Sequence, residues 1–264
     1  MGRSWRLLPL RAGYAALNMA VDEAVFRAYA EGRVPPTLRF YTWTPPAVSL
    51  GRYQDAEAEL DRRACRELGF GAVKRPTGGR AVLHLGDLTY AVAAGEADGV
   101  PAGVLPSYLH FSRGLVAGLA RLGITAELHT PASRASGSPS CFSSPSWYEL
   151  TVAGKKVAGS AQRREGPNVL QHGAVMIDFH PVETARVLRW RGAHPDPAAG
   201  LAISAAGLGD WVPGLDAGVL AGALELGFAE ALGISFAAGD LTDYERDLTA
   251  ALIPAYTEGG HGPC

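Results

Sequence analysis

The 264-residue sequence predicts an α+β fold, a single domain in which a mixed, largely antiparallel sheet is packed by helices, and three observations predict it. β-Prone runs follow one another across short turns. Helical stretches gather before, between and after those runs instead of alternating with them. Hydrophobic residues make up 47% of the chain, enough to fill a core at this length.

The first long element is a helix, because residues 14–30 put Leu17, Val21, Ala24 and Ala28 on one face, with Asp22, Glu23 and Arg27 elsewhere. Residues 38–43 and 47–50 are β-prone runs parted by Pro45-Pro46. Residues 71–75, 81–84 and 88–92 follow with glycines between them and read as neighbouring strands. A second helix over 105–122 ends at Gly123, and 148–152, 156–162 and 169–177 read as three more strands, the first two joined by a tight turn at Gly154. The helical pattern returns over 182–190, 217–232 and 241–255. Residues 130–140 are turn-forming and poor in large apolar groups, so a mobile surface loop is expected to deliver the chain to Cys141. One catalytic domain over 1–255 and a flexible tail over 256–264 complete the expected organisation, with no internal repeat.

Composition removes several functional classes. With 24 basic and 26 acidic residues the formal charge is −2, so no global positive field exists to hold nucleic acid or an anionic membrane. No charge-free stretch approaches the roughly 18 apolar residues of a membrane span. The amino-terminal apolar run is too short for a secretory signal, and the expected compartment is the cytoplasm. Three cysteines without a Cys-x-x-Cys pair make neither a disulfide framework nor a zinc site.

Cys141 lies in Ser140-Cys-Phe-Ser-Ser-Pro-Ser-Trp-Tyr-Glu149, a loop entering a strand, where a thiol can meet a substrate. A bare cysteine is more often packed and inert, which suits Cys65 better. In Gly154-Lys-Lys-Val-Ala-Gly-Ser160, strand alternation sends Lys155 and Lys156 to opposite faces. An inward lysine among small side chains loses hydration and becomes able to act as a base, whereas a turn lysine stays solvated. The glycine turn Arg75-Pro-Thr-Gly-Gly-Arg80 lets backbone amides approach a carbonyl or oxyanion, although a Gly-Gly hairpin is also ordinary architecture. His84 and His172 fit either acid–base or structural roles, and their contexts favour the structural one.

Taken in order, five segments resemble the lipoyl and biotinyl protein ligase superfamily, most closely its LipM-type octanoyltransferases. They are Leu17-Asn-Met-Ala-Val-Asp-Glu23, the turn from Arg75 to Arg80, the stretch from Cys141 to Glu149, Gly154-Lys-Lys-Val-Ala-Gly-Ser-Ala-Gln162 and Gln171-His-Gly173. The resemblance implies an enzyme that takes octanoate from octanoyl-acyl carrier protein. It passes the octanoate to a lysine of a lipoyl-accepting protein, such as glycine cleavage H protein or a 2-oxoacid dehydrogenase lipoyl domain, through an acyl-Cys141 thioester. Lys156 serves that thiol in this scheme, and Arg75, Thr77, Gly78, Gly79, His84, Gly159, Ser160, His172 and Gly173 are implied to bind substrate. The amides of the Gly78-Gly79 turn and of residues 156–159 are candidate oxyanion donors. Thioester exchange is nearly isoenergetic and amide formation runs downhill, so no cofactor and no metal is expected. Burial of the octanoyl methylenes, at about 0.8 kcal/mol each, anchors the donor. Arg62-Arg63 and Arg163-Arg164 are candidates for docking an acidic carrier protein.

Rival readings are an ATP-dependent lipoate–protein ligase, an octanoyl amidotransferase acting between lipoyl domains, a thioesterase and a non-catalytic acyl-protein binding module. The ligase needs the lysine but no cysteine nucleophile and often carries a further small domain, so the Cys141 segment and the chain length argue against it.

Overall fold

A computed structural model describes residues 3–129, 149–190 and 195–258. The chain runs β1 (Arg3–Gly13), α1 (Ala15–Ala30), β2 (Thr37–Trp43), β3 (Ala47–Leu50), α2 (Ala56–Glu59), α3 (Arg62–Leu68), β4 (Gly71–Lys74), β5 (Val82–His84) and β6 (Asp87–Gly95). It continues through α4 (Val104–Arg121), β7 (Glu127–His129), β8 (Glu149–Val152), β9 (Lys155–Glu165) and β10 (Asn168–Met176). The last described elements are α5 (Pro181–Val187), α6 (Pro197–Ser204), α7 (Ala217–Leu232), β11 (Ile234–Ala238) and α8 (Asp243–Glu258).

Eight strands form one open mixed sheet in the order β11-β1-β2-β6-β10-β9-β8-β7, and β4-β3-β5 form a second, small sheet. β1 pairs in parallel with β2 and β11, while every other pairing in the large sheet is antiparallel. Side chains alternate across such a sheet, so each strand feeds two cores. Tyr90, Val92 and Val175 join Phe111, Leu115 and Leu119 of α4 and Leu220, Leu224 and Phe228 of α7 in the larger core. α4 and α7 cross so closely that a Cβ on Gly227 would lie 2.2 Å from the Gly118 nitrogen, so these glycines set the crossing. On the opposite face Ala93 and Leu170 meet Val21, Val25 and Phe26 of α1.

The mixed sheet and its covering helices match the expected class, and four local expectations need correction. Helical spacing places Asp22 and Glu23 away from the core-facing stripe, yet both are buried. α8 packs over α1, where the Tyr256 hydroxyl donates to Glu23, and Arg39 holds Asp22 from the sheet side. α8 therefore runs past the expected tail boundary at 256, with Tyr256 buried. The helix expected over 182–190 stops at Val187, because Leu188 bridges to Leu60 and Arg189 donates its amide to the Glu59 carbonyl. Residues 88–92 belong to β6 in the large sheet, whereas 71–75 and 81–84 build the small one.

Candidate active site

Lys156 owes its direction to a bulge. In the β8–β9 hairpin Thr151 pairs with Lys156 but Leu150 pairs with Ala158, which leaves Val157 as an extra residue on β9. Beyond the bulge the alternation resumes out of phase, so Lys156 shares its face with Gly159 and Ala161 instead of with Ala158 and Ser160. The Lys156 side chain is buried, and its Nζ donates to Glu149 Oε1 at 2.6 Å. A Cβ on Gly159 would lie 3.3 Å from Lys156 Cε and 3.4 Å from Nζ, so this glycine leaves the amine its room. Lys155 turns outward and donates to the Ala202 carbonyl. The inward lysine is as expected, but its surroundings are not small side chains alone, because a carboxylate meets the amine.

The glycine turn between β4 and β5 lies against the same face. Gly79, at φ 89°, holds a left-handed conformation, and a Cβ built there would come within 3.7 Å of Ala161 Cβ. Gly51 packs under the turn so closely that a Cβ would sit 1.9 Å from the Gly79 carbonyl oxygen. Arg75 shapes the turn from within: its guanidinium donates to Gly78 O at 2.7 Å, Arg80 O at 2.7 Å and Ser49 O at 3.0 Å. Gly78 keeps open space where a side chain would stand. Arg75 thus spends these donors on carbonyls of the turn and of β3, while Gly79 is what meets β9 at Ala161.

His172 fastens that turn to the large sheet. Ala161 and His172 are directly paired, which puts the ring on the Lys156 face. Its Nε2 lies 2.6 Å from Thr77 Oγ1 and its Nδ1 3.0 Å from Asp22 Oδ2. A carboxylate only accepts, so Nδ1 carries the ring proton and Nε2 accepts from the Thr77 hydroxyl. Burial pushes the His172 pKa below its ordinary value, more strongly than the Asp22 carboxylate pulls it up. Burial opposes ionisation of Asp22 as well, but Arg39 at 2.6 Å together with hydrogen bonds from His172 and Tyr41 holds its pKa below the usual carboxylate value. Asn18 and Asp22 of α1 both hold Arg39, so the helix, the sheet and the turn share one buried network.

His84 makes the same two bonds elsewhere. Its Nε2 lies 2.8 Å from Ser49 Oγ, its Nδ1 lies 3.0 Å from Asp87 Oδ2, and its ring stacks on Trp43 at 3.9 Å. With Trp43, Leu215 and Asp216 it lines a separate cleft of about 350 Å³. Ser160 and Gly173 stand on the far face of the large sheet, where Ser160 Oγ lies 2.7 Å from the Tyr90 hydroxyl and a Cβ on Gly173 would meet both. Of the residues expected at the site, Lys156 packs with Gly159, and Thr77, Gly79 and His172 meet around Ala161 on the same sheet face, with Gly78 in the same turn and Arg75 supporting that turn from within. His84, Ser160 and Gly173 lie apart. Cys141 and the loop at 130–140 fall outside the described residues.

Two residues that sequence reasoning gave no role, Asp22 and Glu149, hold His172 and Lys156. Both lie inside the quoted motifs, which was the available signal. The arginines proposed for docking are already paired: Arg62 with Glu57, Arg63 with Glu67, Arg163 with Glu165 and Arg164 with Glu96. Among the described residues no helix is long and apolar enough to cross a membrane. Among those residues, too, no group of three or more His, Cys, Asp or Glu side chains is placed to hold a metal ion.

Comparison with known proteins places this geometry in context. The profile of the family described as "Lipoyl protein ligase A/B catalytic domain" matches residues 14–199. The chain is 43% identical to the octanoyltransferase LipM of Kyrpidia tusciae, covering 96% of each sequence. It is 39% identical to the octanoyltransferase LipM of Moorella thermoacetica, covering 96% of this chain and 95% of that one. Among solved structures, the bi-partite lipoate protein ligase of Thermoplasma acidophilum superposes with a TM-score of 0.81 at 25% identity, covering 96% of this chain and 92% of that one. Lipoate-protein ligase A bound with ATP superposes at 0.79 and 26% identity, covering 96% and 94%.

Proposed function

The chain belongs to the lipoyl protein ligase A/B catalytic-domain family and is an octanoyltransferase of lipoate biosynthesis, and from that premise we propose the route by which it moves the acyl group. Octanoate enters as the thioester of acyl carrier protein, is held on Cys141, and leaves on a lysine amine of a lipoyl-accepting protein such as glycine cleavage H protein or a 2-oxoacid dehydrogenase lipoyl domain. The observation that carries this route is the buried amine of Lys156, packed against Gly159 on the sheet face whose Ala161 meets Gly79 of the glycine turn.

The Cys141 thiol passes its proton to Lys156 and attacks the donor carbonyl. The new C–S bond forms as the carrier's thiol leaves with a proton. The acceptor amine then attacks the acyl-Cys141 carbonyl, and an amide replaces the thioester. Backbone amides of the glycine turn, where Gly78 carries no side chain and has open space beside it, or of residues 156–159 serve as the oxyanion donors of both steps. Each exchange conserves or releases free energy without a nucleotide.

Intact-mass measurement after mixing with octanoyl-acyl carrier protein tests the route. A hydroxylamine-labile octanoyl adduct is expected on the wild-type chain without nucleotide, absent from Cys141→Ala, and discharged when acceptor protein is added. Discharge into water without acceptor would make the chain a thioesterase, and transfer that proceeds only with ATP would make it a ligase.

A further inference from the structure

We propose that Glu149 and Lys156 form a proton-sharing pair, in which Glu149 relieves the ammonium of its proton so that the amine can receive the proton of the attacking thiol. The inference rests on the role given to Lys156 above and adds a positioning residue that works through it. An ammonium has three N–H donors and no lone pair, so Lys156 in that form cannot take a proton from anything. Glu149 Oε1, 2.6 Å away, is within reach to accept one. The transfer breaks an Nζ–H bond, forms an Oε1–H bond and turns an ion pair into an amine and a carboxylic acid.

The side chains are 5% and 12% exposed, so the ion pair has lost most of its hydration, a cost that the neutral pair does not bear. The pairing of Thr151 with Lys156 puts the lysine on the face that carries Glu149, two residues along β8, and the bulge at Val157 brings Gly159 onto that face as well. Among the described residues, three charged or titratable groups on the neighbouring elements have partners of their own. Lys155 bonds the Ala202 carbonyl, Arg75 bonds Gly78, Arg80 and Ser49, and His172 bonds Asp22 and Thr77. From the α6 side it is backbone that approaches, with the Ala206 amide donating to Lys156 O.

The cycle balances. The thiol proton goes to the amine, which leaves an ammonium beside a carboxylic acid opposite the attacking thiolate. The carrier's leaving sulfur then takes one proton, and the resting ion pair returns.

The test follows acyl-enzyme formation from octanoyl-acyl carrier protein by quenched mass measurement between about pH 6 and pH 10, a range that spans the approach to lysine's ordinary titration. Glu149→Gln keeps an oxygen that accepts the hydrogen bond but removes the proton acceptor. It is expected to be slower at neutral pH by about a hundredfold or more, and to regain rate with rising pH more steeply than wild type as solvent strips the ammonium. Glu149→Asp is expected to keep the wild-type pH profile at a lower rate. Lys156→Arg preserves the cation opposite Glu149, which supports folding, and is expected to form no acyl-enzyme at any pH in the range.

A Gln variant with the wild-type rate and profile overturns the proposal, and so does one slowed by the same factor at every pH, as does an active Lys156→Arg. Unchanged melting temperatures certify that each variant is folded. A wild-type chain that forms no adduct overturns the parent route together with this inference. An adduct on wild type with an unshifted Gln variant overturns this inference alone.

Discussion

His172 and His84 make the same bonds, Nδ1 to an aspartate and Nε2 to a hydroxyl, yet they occupy different places in the architecture. His84 finds Asp87 three residues along the chain and Ser49 on the adjoining strand, so its network ties the small sheet to the start of β6 and touches the glycine turn only through Arg75, which donates to the Ser49 hydroxyl. His172 reaches Asp22 across 150 residues and Thr77 across 95, and thereby joins the large sheet, α1 and the glycine turn. A polar network gains leverage from the elements it spans. Loss of the first loosens a strand end, whereas loss of the second frees the turn from the sheet that carries Lys156.

Asp22→Ala is the largest break. It strips Arg39 of its carboxylate and leaves the His172 Nδ1–H and the Tyr41 hydroxyl without an acceptor, all of them buried. Uncompensated charge of that kind costs about 3–5 kcal/mol. Asp87→Ala removes hydrogen bonds from His84 and Thr89 but strands no arginine, so about 1–3 kcal/mol is expected. Urea unfolding of both variants checks the ordering, and equal losses would erase the distinction between the two networks.

What the sequence could reveal follows the same division. α1, α4 and α7 were legible because their apolar residues recur at helical spacing, and β3 because two prolines bound it on one side. β1 and β11 were not: they pair in parallel with some 230 residues between them, and much of each is exposed, which blurs the alternation. At the site, alternation separated Lys155 from Lys156, and the family resemblance singled out Lys156 as the working one. The choice of face depends on the bulge at Val157, and a bulge is a property of strand pairing that no residue there announces. The same phase shift explains why Ser160, only four residues on, stands across the sheet. His172 answers to both readings given to histidines, since it is structural in its bonds and still ties the glycine turn to the sheet face that carries Lys156.

Thr77→Val sharpens the comparison at the turn itself. Valine keeps the volume but removes the hydroxyl that His172 Nε2 accepts from, at about 1–3 kcal/mol for the unsatisfied nitrogen. Because the turn then loses its side-chain tie to β10, transfer is expected to slow by roughly ten- to a hundredfold, the cost of misplacing a reacting group by about an ångström. Ser49→Ala removes the matching bond at His84 and the bond from Arg75 to the Ser49 hydroxyl, while Arg75 retains the carbonyls of Ser49, Gly78 and Arg80. A similar stability loss with transfer kept close to wild type is expected there. Steady-state transfer measured alongside thermal melts separates the two, and a Ser49 variant as slow as the Thr77 variant would show that the small sheet also governs the site.

The smallest effect is a pH dependence of stability that travels with His172. The folded chain holds this imidazole neutral because burial depresses its pKa, whereas an unfolded histidine titrates near about 6.5. Above that value neither state binds the proton and its contribution to stability is complete. As pH falls below it, the unfolded chain takes up a proton that the fold refuses, so stability declines toward the lower, folded pKa by at most about 1.4 kcal/mol per pH unit. Asp22 stays ionised through this window, since its own pKa is depressed below the carboxylate range. The half-buried His110, also depressed by burial with Arg113 nearby, adds to the slope, so the measurement must be a difference. Urea unfolding between about pH 5 and pH 7 should give wild type a steeper decline than His172→Gln, whose amide can still meet Asp22 but cannot be protonated. Parallel declines would mean that the ring accepts its proton inside the fold, and the link between helix, turn and sheet would then be an imidazolium held by two neighbours in place of a neutral bridge.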